Sequence, residues 1–170
     1  MKNIIIKNGI ISGLIVSAFM VMSMAWCYKT ESFEGSMLVG YASMLAAFSF
    51  IFIGVKKYRD TLGEGPLSFG TAFKIGLGIA SIASLMYAVA WALEYHFFMP
   101  DFLDKMIDAT ATRLKSENID PDKLKEKLAQ AEAGRVFYSN IFFFLGITFL
   151  EIFPVGLIVS LVSALILKKK

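Results

Sequence analysis

The sequence predicts an all-α integral membrane protein: a bundle of four transmembrane helices, with an extramembrane helical hairpin between the third and the fourth. Three observations carry that reading. Of 170 residues, 56% are hydrophobic, which leaves too few polar residues to cover a soluble domain of this size. The apolar residues are gathered into runs: Asn8–Tyr28, Ser36–Val55 and Ile75–Leu93 contain no Asp, Glu, Lys or Arg, and Ile141–Leu167 contains only Glu151. Each run reaches the roughly 20 residues that a helix needs to cross a hydrocarbon core of about 30 Å. The short alternating segments of a closed β-barrel do not occur.

The first span, 8–28, follows Lys2 and Lys7, a pattern shared with signal peptides. Its apolar stretch is longer than a signal core, and bulky Trp26 precedes Cys27 where a lipoprotein site wants a small residue, so the helix is expected to stay in the protein. Cys27 is the only cysteine, which excludes an internal disulfide and argues against a thiol–metal site. The second span, 36–55, leads into VKKYRDTLGEGPLSFGTAFK. There Gly63-Glu64-Gly65-Pro66 reads as a tight turn, because a phosphate-binding P-loop needs a Lys-Ser/Thr ending and a preceding strand. Ser68 is placed to cap the third span, 72–95.

Within that third span small residues recur at every fourth position. Gly76, Ala80, Ser84 and Ala88 form the middle of the series, and Ala72 and Ala92 its ends. In lipid, close van der Waals contact replaces the hydrophobic drive between helices, so such a groove is expected at the centre of the bundle. Shorter series occur at Gly9, Gly13 and Ser17, and at Gly156, Ser160 and Ala164.

The hairpin, 100–136, carries Phe102, Leu103, Met106, Ile107 and Leu114 mostly on one face of its first arm. Asp120 is a good N-cap and Pro121 suits the first helical position of the second arm, which stacks Leu124, Leu128 and Ala131 and ends near Gly134. From Phe97 to Tyr138 there are seven basic and eight acidic residues. The mixed signs favour arms that pack on each other and on the helix mouths over arms lying on lipid.

The fourth span, 141–167, contains both Glu151 and Pro154. Counting back about 20 residues from Leu167 places Glu151 roughly 5 Å inside the outer boundary. Pro154 has no N–H for the carbonyl of Leu150, so it is expected to bend the helix and free an acceptor beside the carboxylate. Glu94 and His96 end the third span and are expected at the same level, which makes Glu151, Glu94 and His96 the candidate ion or proton site. No spaced ligand motif such as HExxH accompanies them, so neither a metal nor a cofactor is expected. Lys74 is excluded as a partner of Glu151, since it lies on the order of 25 Å away by helix rise. Phe142, Phe143 and Phe144 fit a membrane-interface belt.

Lys2, Lys7, Lys56, Lys57, Arg59, Lys74 and Lys168–Lys170 flank one side of the spans, against Lys29 and a hairpin of mixed charge on the other. Both termini are therefore expected in the cytoplasm, with the protein in the inner membrane. The net charge of +3 describes a rim facing anionic lipid and points to no nucleic acid.

The segment KKYRDTLGEGPLSFGTAFKIGLGIASIASLMYAVAW, a long polar region, and then FLEIFPVGLIVSLVSALILKKK resemble an uncharacterised bacterial family catalogued as domain of unknown function number 4199. The likeness extends over nearly the whole chain, and it implies a four-helix integral membrane protein without supplying a reaction or ligand. The residues themselves disfavour an enzyme: one His, one Cys and no nucleophile–base arrangement leave nothing for covalent catalysis. Two function classes stay open. One is a structural or accessory membrane component acting through helix packing and its outward hairpin, with the lipid bilayer and a second copy or another membrane protein as partners. The other is a small oligomeric bundle that handles an ion or solute with Glu151 and Glu94.

Overall fold

A computed structural model describes residues 1–30, 37–62, 65–117 and 119–169. Within them lie seven helices: α1 Lys2–Thr30, α2 Met37–Thr61, α3 Phe69–Phe98, α4 Phe102–Ser116, α5 Pro121–Ala133, α6 Arg135–Ser139 and α7 Ile141–Leu167. Four of these, α1, α2, α3 and α7, are long and apolar enough to cross a membrane. The chain is thus all-α, as expected. The turn residues Gly63 and Glu64, the predicted start of the second span at Ser36, and Asn118 lie outside the described residues.

Helices α1, α2 and α3 run past the ends of the uncharged stretches. Backbone hydrogen bonding continues into the polar interface, where Lys and Arg stems can reach outward, so charge alone does not stop a helix. Local capping sets several of the boundaries. The Ser68 hydroxyl accepts from the Thr71 N–H at 3.2 Å, the Asp120 carboxylate from the Asp122 N–H at 2.9 Å, and the Asn140 side chain from the Phe142 N–H at 2.9 Å. Each satisfies a donor that a helix N-terminus otherwise leaves unpaired.

Helix α3 is the hub, with its two largest interfaces made to α7 and α1. Toward α7, a Cβ placed on Gly76 would stand 2.9 Å from the Cβ of Ser160, and one on Gly156 would stand 2.8 Å from the Cβ of Ala80. The two backbones approach so closely because glycine leaves the room. The small-residue groove of α3 is therefore filled by α7 of the same chain. Toward α1, a Cβ on Gly9 would meet Ile82 at 2.8 Å, and one on Gly78 would meet Ile5 at 2.8 Å. These pairs share one sequence separation, the 73 residues that also separate Tyr28 from Asp101. Helices α1 and α3 thus run parallel in constant register. Helix α2 fills the space beside them, contributing Phe48, Ile51 and Val55 to the core, and the Ser12 hydroxyl donates to the Ala47 carbonyl at 2.8 Å.

The hairpin is tied to one mouth of the bundle. Phe102, at the start of α4, packs edge-on against Trp91 at 5.2 Å, and Tyr138 lies 5.2 Å from both Tyr95 and Phe144. Arm α4 buries Phe102, Leu103, Ile107 and Leu114, whereas α5 buries no residue fully and leaves Leu124, Leu128 and Ala131 half-buried. Arg135 pairs with Asp104 and Glu132, linking the two arms. At the opposite mouth Leu67 and Lys169 exchange two backbone hydrogen bonds of 3.0 Å, which clasp the end of α7 to the segment before α3.

Candidate functional site

The level of each acidic residue along the bundle follows from the α3–α7 register. With Gly76 against Ser160 and Ala80 against Gly156, the same antiparallel step brings Ser84 level with Ile152, Ala88 with Thr148 and Ala92 with Phe144. All six are buried, and Trp91 stacks on Phe144 at 6.2 Å. Glu151 thus stands level with Leu85, near the middle of the uncharged run Ile75–Leu93. Measured against that run, Glu151 lies deeper than counting back from Leu167 suggests. The count assumed that α7 ends where lipid ends, but its last turns continue past the level of Lys74 and are clasped by Leu67.

The same register corrects the expectation that Glu94 and Glu151 share one level. Glu94 falls near the level of Phe142, about 13 Å further along the axis than Glu151 at 1.5 Å rise per residue. His96 is exposed among neighbouring rings, Tyr95 at 6.3 Å and Phe97 at 6.5 Å, while Glu94 is 5% exposed. Two residues apart on a helix, they face different ways. The three predicted residues are not one cluster, and among the described residues no group of three His, Cys, Asp or Glu gathers at metal-binding distance.

A residue absent from the sequence reading lies between the acids. Tyr87 is one helical face with Glu94, seven residues away, and is within electrostatic reach of both Glu151 and Glu94. Tyr138 feels Glu151 as well: burial raises its phenol above the ordinary value, and the charges of Glu151 and Tyr95 add to that. The side chains of Glu94 and Ser84 each hold a fully buried oxygen, Oε2 and Oγ, with no hydrogen-bond partner among the described residues. No local pattern in the sequence marks Tyr87, and only the fold brings it within electrostatic reach of both acids.

Glu151 itself is exposed on the bundle's surface, as are Leu150 and Pro154. Helix α7 passes through Pro154 without interruption, and the carbonyl of Leu150 loses its usual donor there. A carboxyl group and a freed backbone acceptor thus share one outward face, level with the middle of the uncharged run of α3. Of the three phenylalanines expected in a belt, Phe142 and Phe143 are exposed, but Phe144 is buried between Trp91, Tyr95 and Tyr138. It belongs to the joint between bundle and hairpin.

A family model described as protein of unknown function (DUF4199) matches residues 7–169, nearly the whole chain. No curated protein and no solved structure matches it.

Proposed function

The chain belongs to the family of proteins of unknown function (DUF4199), and we propose that it is a non-catalytic, accessory membrane component that works as a dimer joined along α7. The observation that carries this reading is the exposed Glu151 at mid-depth beside the freed Leu150 carbonyl. In hydrocarbon, both groups need partners. A two-fold axis supplies them: a neutral carboxyl offers one O–H donor, so Glu151 of each copy can donate to the Leu150 carbonyl of the other. Ile147 and Ile158, exposed on the same side, would pack around the pair. The basic rim supports an inner-membrane location with both termini in the cytoplasm and the hairpin outside.

Cross-linking in native membranes tests the dimer. In a Cys27→Ser background, Ile147→Cys and Ile158→Cys are expected to form disulfide-linked dimers, and Leu14→Cys on exposed α1 is not. Adding Glu151→Ala should suppress the links. Equal cross-linking at Leu14, or links that survive Glu151→Ala unchanged, would remove the proposal.

A second reading is favoured by one observation, the buried Tyr87 within electrostatic reach of both acids, while Glu94 Oε2 has no hydrogen-bond partner among the described residues. Here Glu151 and Glu94 handle an ion or proton in an oligomer, with Tyr87 between them. Glu151→Gln separates the readings in liposomes. It keeps donors for the Leu150 carbonyl and so preserves the dimer, but it removes proton exchange and with it any pH-dependent flux.

A further inference from the structure

A cavity of about 480 Å³ opens between α1 and α2 near the hairpin end of the bundle, with Tyr87 of α3 among its lining residues. Its wall is unusual in sulfur. Met20, Met24 and Cys27 line it from α1, and Met44 faces them from α2. The three α1 residues follow one helical face at steps of four and three, a spacing that leaves neighbouring Cβ atoms about 5–6 Å apart. Methionine's three rotatable bonds let the thioethers converge from such positions. Met20 is buried, and Met24, Cys27 and Met44 are half-buried, so the donors sit below the surface yet at a cavity's edge.

We propose that this cleft binds one soft monovalent metal ion, copper(I) or its analogue silver(I), through the Cys27 thiolate and the thioethers of Met20, Met24 and Met44. The donor set selects the metal. Thiolate and thioether ligands suit copper(I), and hard divalent cations need oxygen ligands. Among the described residues, no Asp, Glu or His lines the cleft. Charge makes the same selection. On binding, Cys27 releases its thiol proton to solvent, and the resulting thiolate cancels a single positive charge. The complex is then neutral, as an apolar cleft requires, whereas a divalent ion would leave an unbalanced charge. The count of one cysteine argues against a thiol site in the sequence. Only the fold brings Met44 opposite Met20 and Met24 to complete the set.

The test is anaerobic titration of the full chain in mild detergent, with silver(I), and with copper(I) held by a competing chromophoric chelator. One equivalent of either ion is expected to bind, with sulfur as the first-shell scatterer in X-ray absorption and three sulfurs or more. The Met20→Leu/Met24→Leu variant keeps side-chain volume and leaves Cys27 intact; it should bind at least tenfold more weakly, while retaining the parent's helicity and elution profile. Cys27→Ser should bind more weakly still. Unchanged affinity in the double-leucine variant would reduce the site to a lone thiol and overturn the proposal. So would a first shell with a single sulfur, or no binding beyond that of Cys27→Ser.

Discussion

Replacing Gly156 by alanine tests the α3–α7 contact most directly. The added Cβ would lie 2.8 Å from the Cβ of Ala80 and 3.0 Å from the Phe48 ring. Carbon atoms rest at about 3.5–4.0 Å, so the helices must separate by about 1 Å or the Phe48 ring must turn. Neither neighbour moves easily, because Ala80 and Phe48 are both fully buried. Overpacking of this kind costs about 1–3 kcal/mol. Alanine also favours the helix by about 1 kcal/mol over glycine, which would blur the result if Gly156→Ala were measured alone. Gly146 is the internal control: it lies on the same helix, and an added Cβ there meets nothing within 4 Å. The propensity gain cancels between the two variants. Gly156→Ala should therefore be less stable than Gly146→Ala by about 1–3 kcal/mol, read from reversible unfolding in mixed micelles with helicity as the signal. Gly76→Ala, whose Cβ would stand 2.9 Å from Ser160, should behave like Gly156→Ala. The double variant should cost less than the sum, since one outward shift of α7 relieves both clashes. Equal stability of Gly156→Ala and Gly146→Ala would refute the close backbone approach.

Acid should loosen the hairpin at its root. Asp101 accepts a hydrogen bond from the Tyr28 hydroxyl and lies 3.5 Å from Lys105, whose ammonium sits 4.1 Å over the Tyr28 ring. The Tyr28 bond foremost, with help from Lys105, holds the Asp101 carboxyl below its ordinary value. A depressed carboxylate stabilises the fold above its unfolded value, about 3.9, and that contribution is lost as pH falls through the folded value. Hydrogen exchange in α4 should therefore be flat from neutral pH to about 5 once corrected for intrinsic rates, and should rise below about 4; Tyr28→Phe should weaken that dependence, and an unaltered profile would remove the clamp. Orientation is checked by impermeant thiol labelling in the Cys27→Ser background: Lys125→Cys should react in intact cells and Arg59→Cys should not, and the reverse pattern would invert the topology.

Span number, the caps at Ser68 and Asp120 and the small-residue groove were legible in the sequence because each rests on neighbours within a few positions. Depth was not. Placing Glu151 needed the register between α3 and α7, which depends on which glycine meets which serine across two helices. The relation of Glu94 to His96 was misjudged for a simpler reason, since closeness along the chain was taken for closeness in space. Tyr28 and Asp101, 73 residues apart, carry no local signal of their pairing. Tyr87 is similar: its acidic neighbours come from α7 and from two turns along its own helix. The long third connection reads as a hairpin from its periodicity, yet the aromatic joint that seats it draws on α3, α4, α6 and α7 together.

The parallel pairing of α1 with α3 also shapes the order of biogenesis. Two parallel neighbours cannot be joined by a short turn, so α2 must insert between them in time as well as in sequence. While only α1 and α2 are in the bilayer, the glycine face of α1 that will hold Ile82 and Met86 has lipid against it. Lipid tails solvate that face adequately, and the Ser12–Ala47 hydrogen bond joins the first two helices without filling it. Arrival of α3 supplies the contacts of both neighbouring helices at once, and the same helix then offers its opposite groove to α7. Assembly should accordingly be late and concerted, with the first helix pair sensitive to quality-control proteases until the third is in place. A destabilised α3 would then shorten the lifetime of the whole chain in the membrane.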